Sequence, residues 1–260
     1  MIRVLQITDC HLVAVGQKLI GVDTQASLEA VLAHALDRNV PDAVLATGDL
    51  AHEPTADVYA RFHETVRRVT DAPLLCLPGN HDVLAEMIRA ELPLSPLVLG
   101  APGTEWAVVP LDSHQDEIAA AAVDETDRQQ TAAYLEKSAD KHVLLAAHHP
   151  FVAVDCPWLD KDRIQNASDL LNWFAECSQQ LRGVVFGHAH QEVVGTCAGF
   201  PVYGAPSTCF QFKPLSESFA IDDQLPGYRL LELWPDGRIA TEVHRVPFDI
   251  RVELKRPPGG

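Results

Sequence analysis

Five short polar motifs carry the side chains that could bind metal ions and activate water. Between them they supply carboxylates, one amide and at least four imidazoles, while no thiol stands in a convincing ligand position. Oxygen donors mixed with imidazole nitrogens suit Mn, Fe, Zn or Co better than Ca or Mg. The motifs are Asp9-Cys10-His11, Gly48-Asp49, Gly79-Asn80-His81-Asp82, His148-His149-Pro150 and Gly187-His188-Ala189-His190.

The candidate ligands outnumber the positions around a single ion. About six ligands saturate an octahedral ion, and a catalytic ion keeps at least one position free for water. The sequence therefore predicts two ions. A carboxylate such as Asp49 could bridge them at the separation of roughly 3.5–4 Å that is common in two-metal hydrolases.

Each of the five motifs follows an apolar run that predicts a β-strand, at residues 1–8, 43–47, 73–77, 142–147 and 183–187. Ligand sites in α/β sheets lie beyond the carboxyl ends of the strands. One such motif alone would more often cap a helix or mark a turn than bind metal. Five of them at successive strand ends favour one shared site.

Helical periodicity separates these strands, so the first half of the chain predicts an α/β fold. The first helix is expected to be capped near Thr24 or Ser27, and a further strand is expected at 106–111. The other predicted helices cover residues 58–69, a stretch from about 83, 126–137 and 168–180. The segment 149–165 between strand and helix is long for a connection, which is typical of a functional rim.

The last third predicts short antiparallel strands at 192–197, 201–203, 207–212, 228–234 and 239–245. Pro235-Asp236-Gly237 is a strong hairpin signal between the last two strands. The absence of a linker or repeat predicts one domain over residues 1–256, followed by a frayed tail at 257–260.

Composition limits the partners. The chain has 260 residues, 47% of them hydrophobic, which is enough for a sizeable core. Its net charge of −16 disfavours nucleic acid and anionic lipid, so a phosphate substrate would need bound metal. No long apolar run or cleavage site is present, which predicts a cytoplasmic protein without a membrane partner. The six cysteines lack paired spacing and are expected to be free and mostly buried.

Together the five motifs resemble the complete motif set of the calcineurin-like metallophosphoesterases, over residues 9–190. Further segments resemble the bacterial class III 3′,5′-cyclic-AMP phosphodiesterases, namely residues 6–12, 21–24, 46–51, 111–113, 158–160 and 206–214. One departure is Cys10, where relatives often carry a small hydroxyl residue. Its side chain is expected to point away from the ions.

The resemblance implies a four-layer αββα sandwich, an α/β (α+β) fold with two mixed sheets between helices and the metals at the strand ends. It also implies two divalent or mixed-valence ions drawn from Fe, Mn, Zn and Co. The implied ligands are Asp9, His11 and His190 for one ion, Asn80, His148 and His188 for the other, and Asp49 as the bridge.

The implied reaction is hydrolysis of 3′,5′-cyclic AMP to 5′-AMP by a metal-bridging hydroxide. His81 is the candidate proton donor to the leaving oxygen, with Asp82 orienting its ring. Substrate contacts are expected from His11, Asn80, His81 and His149, although His149 could instead be a structural imidazole. The resemblance also allows a homodimer.

Several alternatives remain open from the sequence. The metal motifs do not distinguish cyclic AMP from glycerophosphodiesters, nucleotide pyrophosphates or phosphomonoesters. A non-catalytic scaffold is disfavoured because no ligand of the motif set is missing. The aromatic residues Trp158, Phe210 and Phe212 could border the substrate or pack in the core. His52 and His114, like the other remaining histidines, are expected to lack partners at ligand spacing.

Overall fold

The computed structural model describes residues 1–250 and 252–253, and the predicted tail at 257–260 lies outside them. The strands are β1 (Ile2–Ile7), β2 (Ala43–Ala46), β3 (Leu74–Cys76), β4 (Leu97–Leu99), β5 (Trp106–Pro110), β6 (His142–Ala146), β7 (Leu181–Phe186), β8 (Val193–Cys197), β9 (Phe200–Gly204), β10 (Gly227–Leu233) and β11 (Ile239–Arg245). The helices are α1 (Thr24–Arg38), α2 (Ala56–Arg67), α3 (Leu84–Arg89), α4 (Glu125–Lys137), α5 (Pro157–Asp160) and α6 (Ala167–Cys177).

The strands form two mixed sheets. The first has the order β11-β10-β1-β2-β3, and the second has the order β4-β5-β6-β7-β9-β8. The strands that precede the five motifs run parallel to one another within each sheet, β1-β2-β3 in the first and β6-β7 in the second. Their carboxyl ends therefore meet at the same edge of each sheet.

The two sheets pack face to face, and helices cover both outer faces. Successive residues of a strand point to opposite faces, so each strand contributes to two cores. In β1, Val4 lies in the core between the sheets, whereas Leu5 shares a core with Leu28 of α1. In β6, Leu144 faces the first sheet, whereas Leu145 shares a core with residues of α4 and α6. The predicted four-layer αββα sandwich is confirmed.

Residues 207–212, predicted as a strand, form a loop instead. The Ser207 N–H donates to Oε1 of Gln211 (3.2 Å), and Nε2 of Gln211 donates to the Ser207 carbonyl (2.9 Å). Such bonds between near neighbours compete with a sheet ladder. Phe212 forms one isolated bridge, with Ile221.

Three further details differ from the sequence-based expectations. The side chain that caps α1 is Asp23, which accepts from the Ala26 N–H (3.0 Å), rather than Thr24 or Ser27. The edge strand β4 was not predicted, because three residues are too few to show a pattern. The strand β9 runs parallel to β7, so the last third is not uniformly antiparallel. The predicted hairpin between β10 and β11 is present, with Gly237 at φ +87° in its turn.

Residues of both sheets line one shared core. The predicted domain, residues 1–256, extends past the described residues, so its bounds stay a prediction. None of the helices within residues 1–250 is long and apolar enough to span a bilayer.

Arg229 of β10 ties the two sheets together from inside the structure. Its side chain is buried and donates to the Gly204 carbonyl (2.8 Å), the Val193 carbonyl (3.1 Å) and Oγ1 of Thr241 (3.0 Å). Gly204 and Val193 belong to the second sheet, whereas Thr241 belongs to the first. Burial lowers the pKa of Arg229 to about 10, which leaves the guanidinium charged at neutral pH.

We expect Arg229→Lys to destabilise the protein by about 2–3 kcal/mol, because an ammonium cannot reproduce the fork of charged donors. For a chain of this size that loss lowers the melting temperature by roughly 5–10 °C. Thermal unfolding followed by circular dichroism measures it. Arg238→Lys is the control, since Arg238 is an exposed residue of the hairpin turn. Equal melting temperatures for the two variants would contradict the role of Arg229.

Candidate metal centre

The loops that follow β1, β2, β3, β6 and β7 converge at one place, where the carboxyl-terminal edges of the two sheets meet. The Asp9 N–H donates to the Gly48 carbonyl (2.9 Å), and the His11 N–H donates to the Asp49 carbonyl (2.9 Å). In the second sheet, the Gly187 N–H donates to the His148 carbonyl (3.0 Å). The loops therefore continue the pairing of their strands for a few residues, which fixes the backbone that carries the predicted ligands.

Two glycines allow this convergence. A Cβ at Gly79 would overlap the backbone nitrogen and Oδ1 of Asp49, and a Cβ at Gly187 would overlap Oγ1 of Thr8. Any side chain at either position would push the loops apart. Glycine is thus required here by close approach.

Backbone strain is concentrated at the same place. Within residues 1–250 and 252–253, eleven non-glycine residues have a positive φ, and five of them are predicted ligands: Asp9 (52°), His11 (45°), Asp49 (51°), His188 (62°) and His190 (49°). The left-handed region is costly for residues with a Cβ, and such strain persists where surrounding structure enforces it. Its clustering at these residues indicates a functional site.

The first group of donors contains Asp9, His11 and His190, and all three residues are buried. The Nε2 atoms of His11 and His190 lie 3.0 Å apart, and Nε2 of His190 lies 3.4 Å from Oδ1 of Asp9. Nδ1 of His190 is 2.7 Å from the Phe210 carbonyl, to which it must donate. The lone pair of His190 is therefore on Nε2 and faces the other two ligands.

The second group contains Asn80, His148 and His188. Oδ1 of Asn80 is 2.9 Å from Nδ1 of His188 and 3.2 Å from Nε2 of His148. Nδ1 of His148 lies 2.8 Å from the Thr47 carbonyl and must donate to it. In neutral His148 the Nε2 lone pair faces this oxygen, so a cation between the two atoms would be bound by both.

Asp49 lies between the two groups. Its Oδ2 is 3.6 Å from Nε2 of His11, and its Oδ1 is 3.5 Å from Nε2 of His148. One carboxylate thus offers one oxygen to each group. This is the geometry that a bridging ligand of a two-ion centre requires.

The electrostatics favour the ligand form at Asp9, His11 and His188 but not at His148: burial alone would lower the pKa of His148, whereas the carboxylates of Asp49 and Asp9 raise it. Burial alone would raise the pKa of Asp9, but the nearby imidazoles of His190 and His148 outweigh it and lower that pKa. Burial lowers the pKa of His11 and of His188 well below the usual value, and neighbouring imidazoles add to the effect. Ionised Asp9 and neutral imidazoles are the forms that coordinate a cation.

Comparisons with known proteins agree with this geometry. Residues 2–192 match the family model described as calcineurin-like phosphoesterase. The chain belongs to this family. Members of the family use a binuclear metal centre, and the convergent donors described above can bind metal ions.

Several relatives in the family match almost end to end. The chain is 36% identical over 252 residues to the 3′,5′-cyclic adenosine monophosphate phosphodiesterase CpdA of Escherichia coli K12, covering 94% of this chain and 90% of that protein. It is 34% identical to CpdA of Haemophilus influenzae, covering 95% and 90%. It is 33% identical to the 3′,5′-cyclic-nucleotide phosphodiesterase alr5338 of Nostoc sp. PCC 7120, covering 97% and 95%.

Solved structures support the fold. The protein TT1561 of Thermus thermophilus superposes with a TM-score of 0.59 at 15% identity, covering 92% of this chain and 97% of that one. A dimetal phosphatase from Danio rerio superposes with a TM-score of 0.54 at 14% identity, covering 95% and 99%. At such low sequence identity, these similarities show only that the fold is shared.

Asp82 does not orient the ring of His81, contrary to the expectation from their adjacency. Its carboxylate accepts from the N–H groups of Gly79 (2.8 Å), Ala51 (3.1 Å) and Leu50 (3.2 Å) and from the hydroxyl of Tyr59 (2.9 Å). These bonds tie the loop after β3 to the loop after β2. Burial and the nearby carboxylate of Asp49 raise the pKa of Asp82 to about 6. Asp82 therefore holds the loops that carry Asn80 and Asp49.

His149 is also placed differently from the expected substrate contact. It is fully buried, its Nδ1 lies 2.9 Å from Oγ of Ser113, and its Nε2 lies 3.1 Å from the Ala119 carbonyl. Both ring nitrogens are thus committed within the protein. The alternative stated above, a structural imidazole, describes His149, which fastens the segment 113–119 beside the site.

The loop 207–212 supports the first group of ligands, which the sequence did not indicate. The Ser207 hydroxyl donates to the Asp9 carbonyl (2.8 Å), and the ring of Phe212 stacks on His190 with centroids 4.0 Å apart. Phe210 and Phe212 therefore contact a candidate ligand directly. Trp158 packs on Phe212 (5.0 Å between centroids) and belongs to the core beneath the second sheet.

His52 was expected to lack partners but lies beside the site. Its ring centroid is 4.9 Å from that of His81 and 5.8 Å from that of His11. Its position three residues after Asp49, in the same loop, is the signal that could have indicated it. The expectations for the cysteines are confirmed: all six are free, five are buried, and Cys10 lies in the core under α1.

We expect Gly79→Ala to disrupt the centre, because its new Cβ would overlap Asp49. Protein reconstituted with Mn²⁺ should hold two ions per chain, and the substitution should weaken metal affinity by about 10–100-fold. Elemental analysis after equilibrium dialysis measures both. Gly195→Ala in β8 is the control, since a Cβ there meets its neighbours at 3.5 Å or more. A Gly79→Ala protein with unchanged Mn²⁺ affinity would refute the close-approach argument.

Proposed function

We propose that this protein hydrolyses 3′,5′-cyclic AMP to 5′-AMP at a two-ion centre. The observation that carries the proposal is the convergence of all seven predicted ligands, with one carboxylate shared between the two groups. The names and the near-complete overlap of the relatives from Escherichia coli and Haemophilus influenzae support the choice of substrate.

The proposed ligands divide as the two groups do. Asp9, His11 and His190 hold one ion, Asn80, His148 and His188 hold the other, and Asp49 bridges them. The mixture of oxygen and imidazole donors supports Fe, Mn, Zn or Co. When bound, the ions supply an activated water and neutralise negative charge on the phosphate oxygens.

The charges at the site support an anionic substrate in spite of the acidic chain. Two divalent ions against the carboxylates of Asp9 and Asp49 leave a local charge of about +2. The rest of the chain, at a net −16, repels polyanions. We therefore propose a small cyclic nucleotide as the partner, without nucleic acid or a membrane. The cytoplasmic location and a homodimer stay predictions.

His81 is the proposed proton donor to the leaving oxygen. Its N–H donates to Oδ1 of Asp49 (2.9 Å), which fixes its backbone beside the bridging carboxylate. Its ring packs edge-on against His11, with centroids 4.9 Å apart. The hydrogen bonds of Asp82 to the loops after β2 and β3 hold this arrangement, so Asp82 is a positioning residue. His11, Asn80 and His81 are the proposed substrate contacts.

The substrate is tested by assaying Mn²⁺-loaded protein against cyclic AMP, cyclic GMP and an aryl phosphodiester in parallel. We expect the highest kcat/KM on cyclic AMP. A higher kcat/KM on cyclic GMP would make cyclic GMP the preferred substrate instead. Activity on the aryl diester alone would exclude a cyclic-nucleotide substrate. Hydrolysis of none of them would reject the proposed reaction.

Removing His81 should affect substrates according to their leaving groups. A ribose alkoxide is a poor leaving group and needs a proton, whereas a nitrophenolate leaves without one. We expect His81→Ala to lower cyclic AMP hydrolysis by about 100-fold or more and aryl diester hydrolysis much less. The Mn²⁺ content should stay at two, and His63→Ala on α2 serves as the control. Equal losses on both substrates would exclude proton donation by His81.

A further inference from the structure

The turn 214–219, which follows the loop 207–212, carries an aromatic side chain that the proposed reaction does not use. Phe219 is 50% exposed, whereas every other Phe, Tyr and Trp within the described residues is buried or only partly exposed. The ring of Phe219 packs edge-on against that of Phe212, with centroids 5.5 Å apart. Phe212 in turn stacks on the candidate ligand His190 (4.0 Å). A single ring therefore separates this exposed aromatic surface from a ligand of the two-ion centre.

Hydrogen bonds and packing hold Phe219 in this position. The Lys213 N–H donates to the Ala220 carbonyl (2.8 Å), so the chain is paired on either side of the turn. Within the turn, Oγ of Ser216 accepts from Nε1 of Trp158 (3.1 Å). The ring of Trp158 also packs edge-on against Phe219, with centroids 5.5 Å apart. Because the ring is already held in place, a ligand that binds to it pays little to order it.

An exposed aromatic ring beside a phosphate site suits a nucleobase. Every base has a π-face, and bases stack on aromatic side chains in proteins that bind single-stranded nucleic acid. A cyclic nucleotide that is held by its phosphate presents its base one ribose ring away from the phosphorus. Phe219 likewise lies one ring away from His190. The exposed surface is therefore within the reach of a base, but not of the phosphate itself.

We propose that Phe219 is the surface on which the purine of the cyclic nucleotide stacks. This assignment rests on the proposed function and names the feature that selects its substrate class. The ions contact only the phosphate, which glycerophosphodiesters share with cyclic nucleotides. The ring of Phe219 favours the diester that carries a base. Because stacking tolerates any base, Phe219 selects nucleotides as a class and does not distinguish adenine from guanine.

The stacking is tested by comparing two ligands that differ only in the base. Calorimetry on Mn²⁺-loaded protein measures the affinity for 5′-AMP and for ribose 5-phosphate, and we expect 5′-AMP to bind about tenfold or more tightly. Phe219→Leu keeps an apolar side chain against Phe212 and Trp158 but removes the aromatic face. It should weaken 5′-AMP binding by about tenfold and leave ribose 5-phosphate binding unchanged.

Two further variants control this comparison. Phe219→Trp keeps an aromatic face and should bind 5′-AMP as tightly as the wild-type protein. Leu215→Ala changes a side chain on the same turn that is 75% exposed, and it should leave both affinities unchanged. With cyclic AMP as substrate, Phe219→Leu should raise KM by about tenfold and keep kcat within about twofold, because stacking is equally strong in the bound substrate and the transition state.

Several results would overturn the assignment. Equal losses of 5′-AMP and ribose 5-phosphate binding in Phe219→Leu would mean that Phe219 acts only by supporting His190. Unchanged 5′-AMP binding in this variant would reject stacking, and a simultaneous change of oligomeric state in analytical ultracentrifugation would assign the ring to a contact between copies of the chain.

Failure of this assignment and failure of the proposed function give different results. The calorimetric comparison does not use hydrolysis. Loss of 5′-AMP binding in Phe219→Leu, in a protein that does not hydrolyse cyclic AMP, would reject the proposed reaction and retain the stacking surface. Hydrolysis of cyclic AMP with equal affinities of the wild-type protein and Phe219→Leu for 5′-AMP would do the reverse.

Discussion

The structure depends on holding seven candidate metal ligands close together in a buried place. The Nε2 atoms of His11 and His190 face each other at 3.0 Å, and Nε2 of His148 faces Oδ1 of Asn80 at 3.2 Å. Without a cation, each contact needs a proton on one of its two atoms, and burial removes the water that could take its place. The remaining structure must therefore supply enough stability to keep these donors in position before any ion binds.

This stability comes from contacts that join the two sheets and from contacts that join the loops. Nε2 of Gln6 donates to Oγ1 of Thr47 (3.1 Å) and to the Phe186 carbonyl (3.0 Å), joining the two sheets directly below the site. Asp82 binds three backbone N–H groups from two loops. These polar bonds form at the edge of a large core shared by both sheets, and this surrounding structure enforces the strained backbone of the loop residues.

The residues predicted the strands, the helices and the candidate donors because these depend on local signals, whereas the four layers were implied by the family resemblance. Alternation along a strand places Val4 and Leu5 in different cores, and the residue types after each strand identify the donors. The hydrogen-bond partners of the polar side chains could not be predicted from the sequence in the same way. The hydroxyl that binds Asp82 comes from Tyr59, and the hydroxyl that meets His149 comes from Ser113. Adjacency in sequence suggested other partners, and only the packing of distant segments decides between them.

The two groups of ligands are supported by different parts of the chain. His148 is fixed by the Thr47 carbonyl, which lies within the span that matches the family model. His190 is fixed by the Phe210 carbonyl and the ring of Phe212, which lie beyond residue 192. The loop 207–212 therefore contacts the first group directly, through His190 and the Asp9 carbonyl. Variation in this loop acts first on the Asp9, His11 and His190 side of the centre. It reaches the other side through the shared carboxylate of Asp49 and through the His188 N–H, which donates to Oδ2 of Asp9 (3.0 Å).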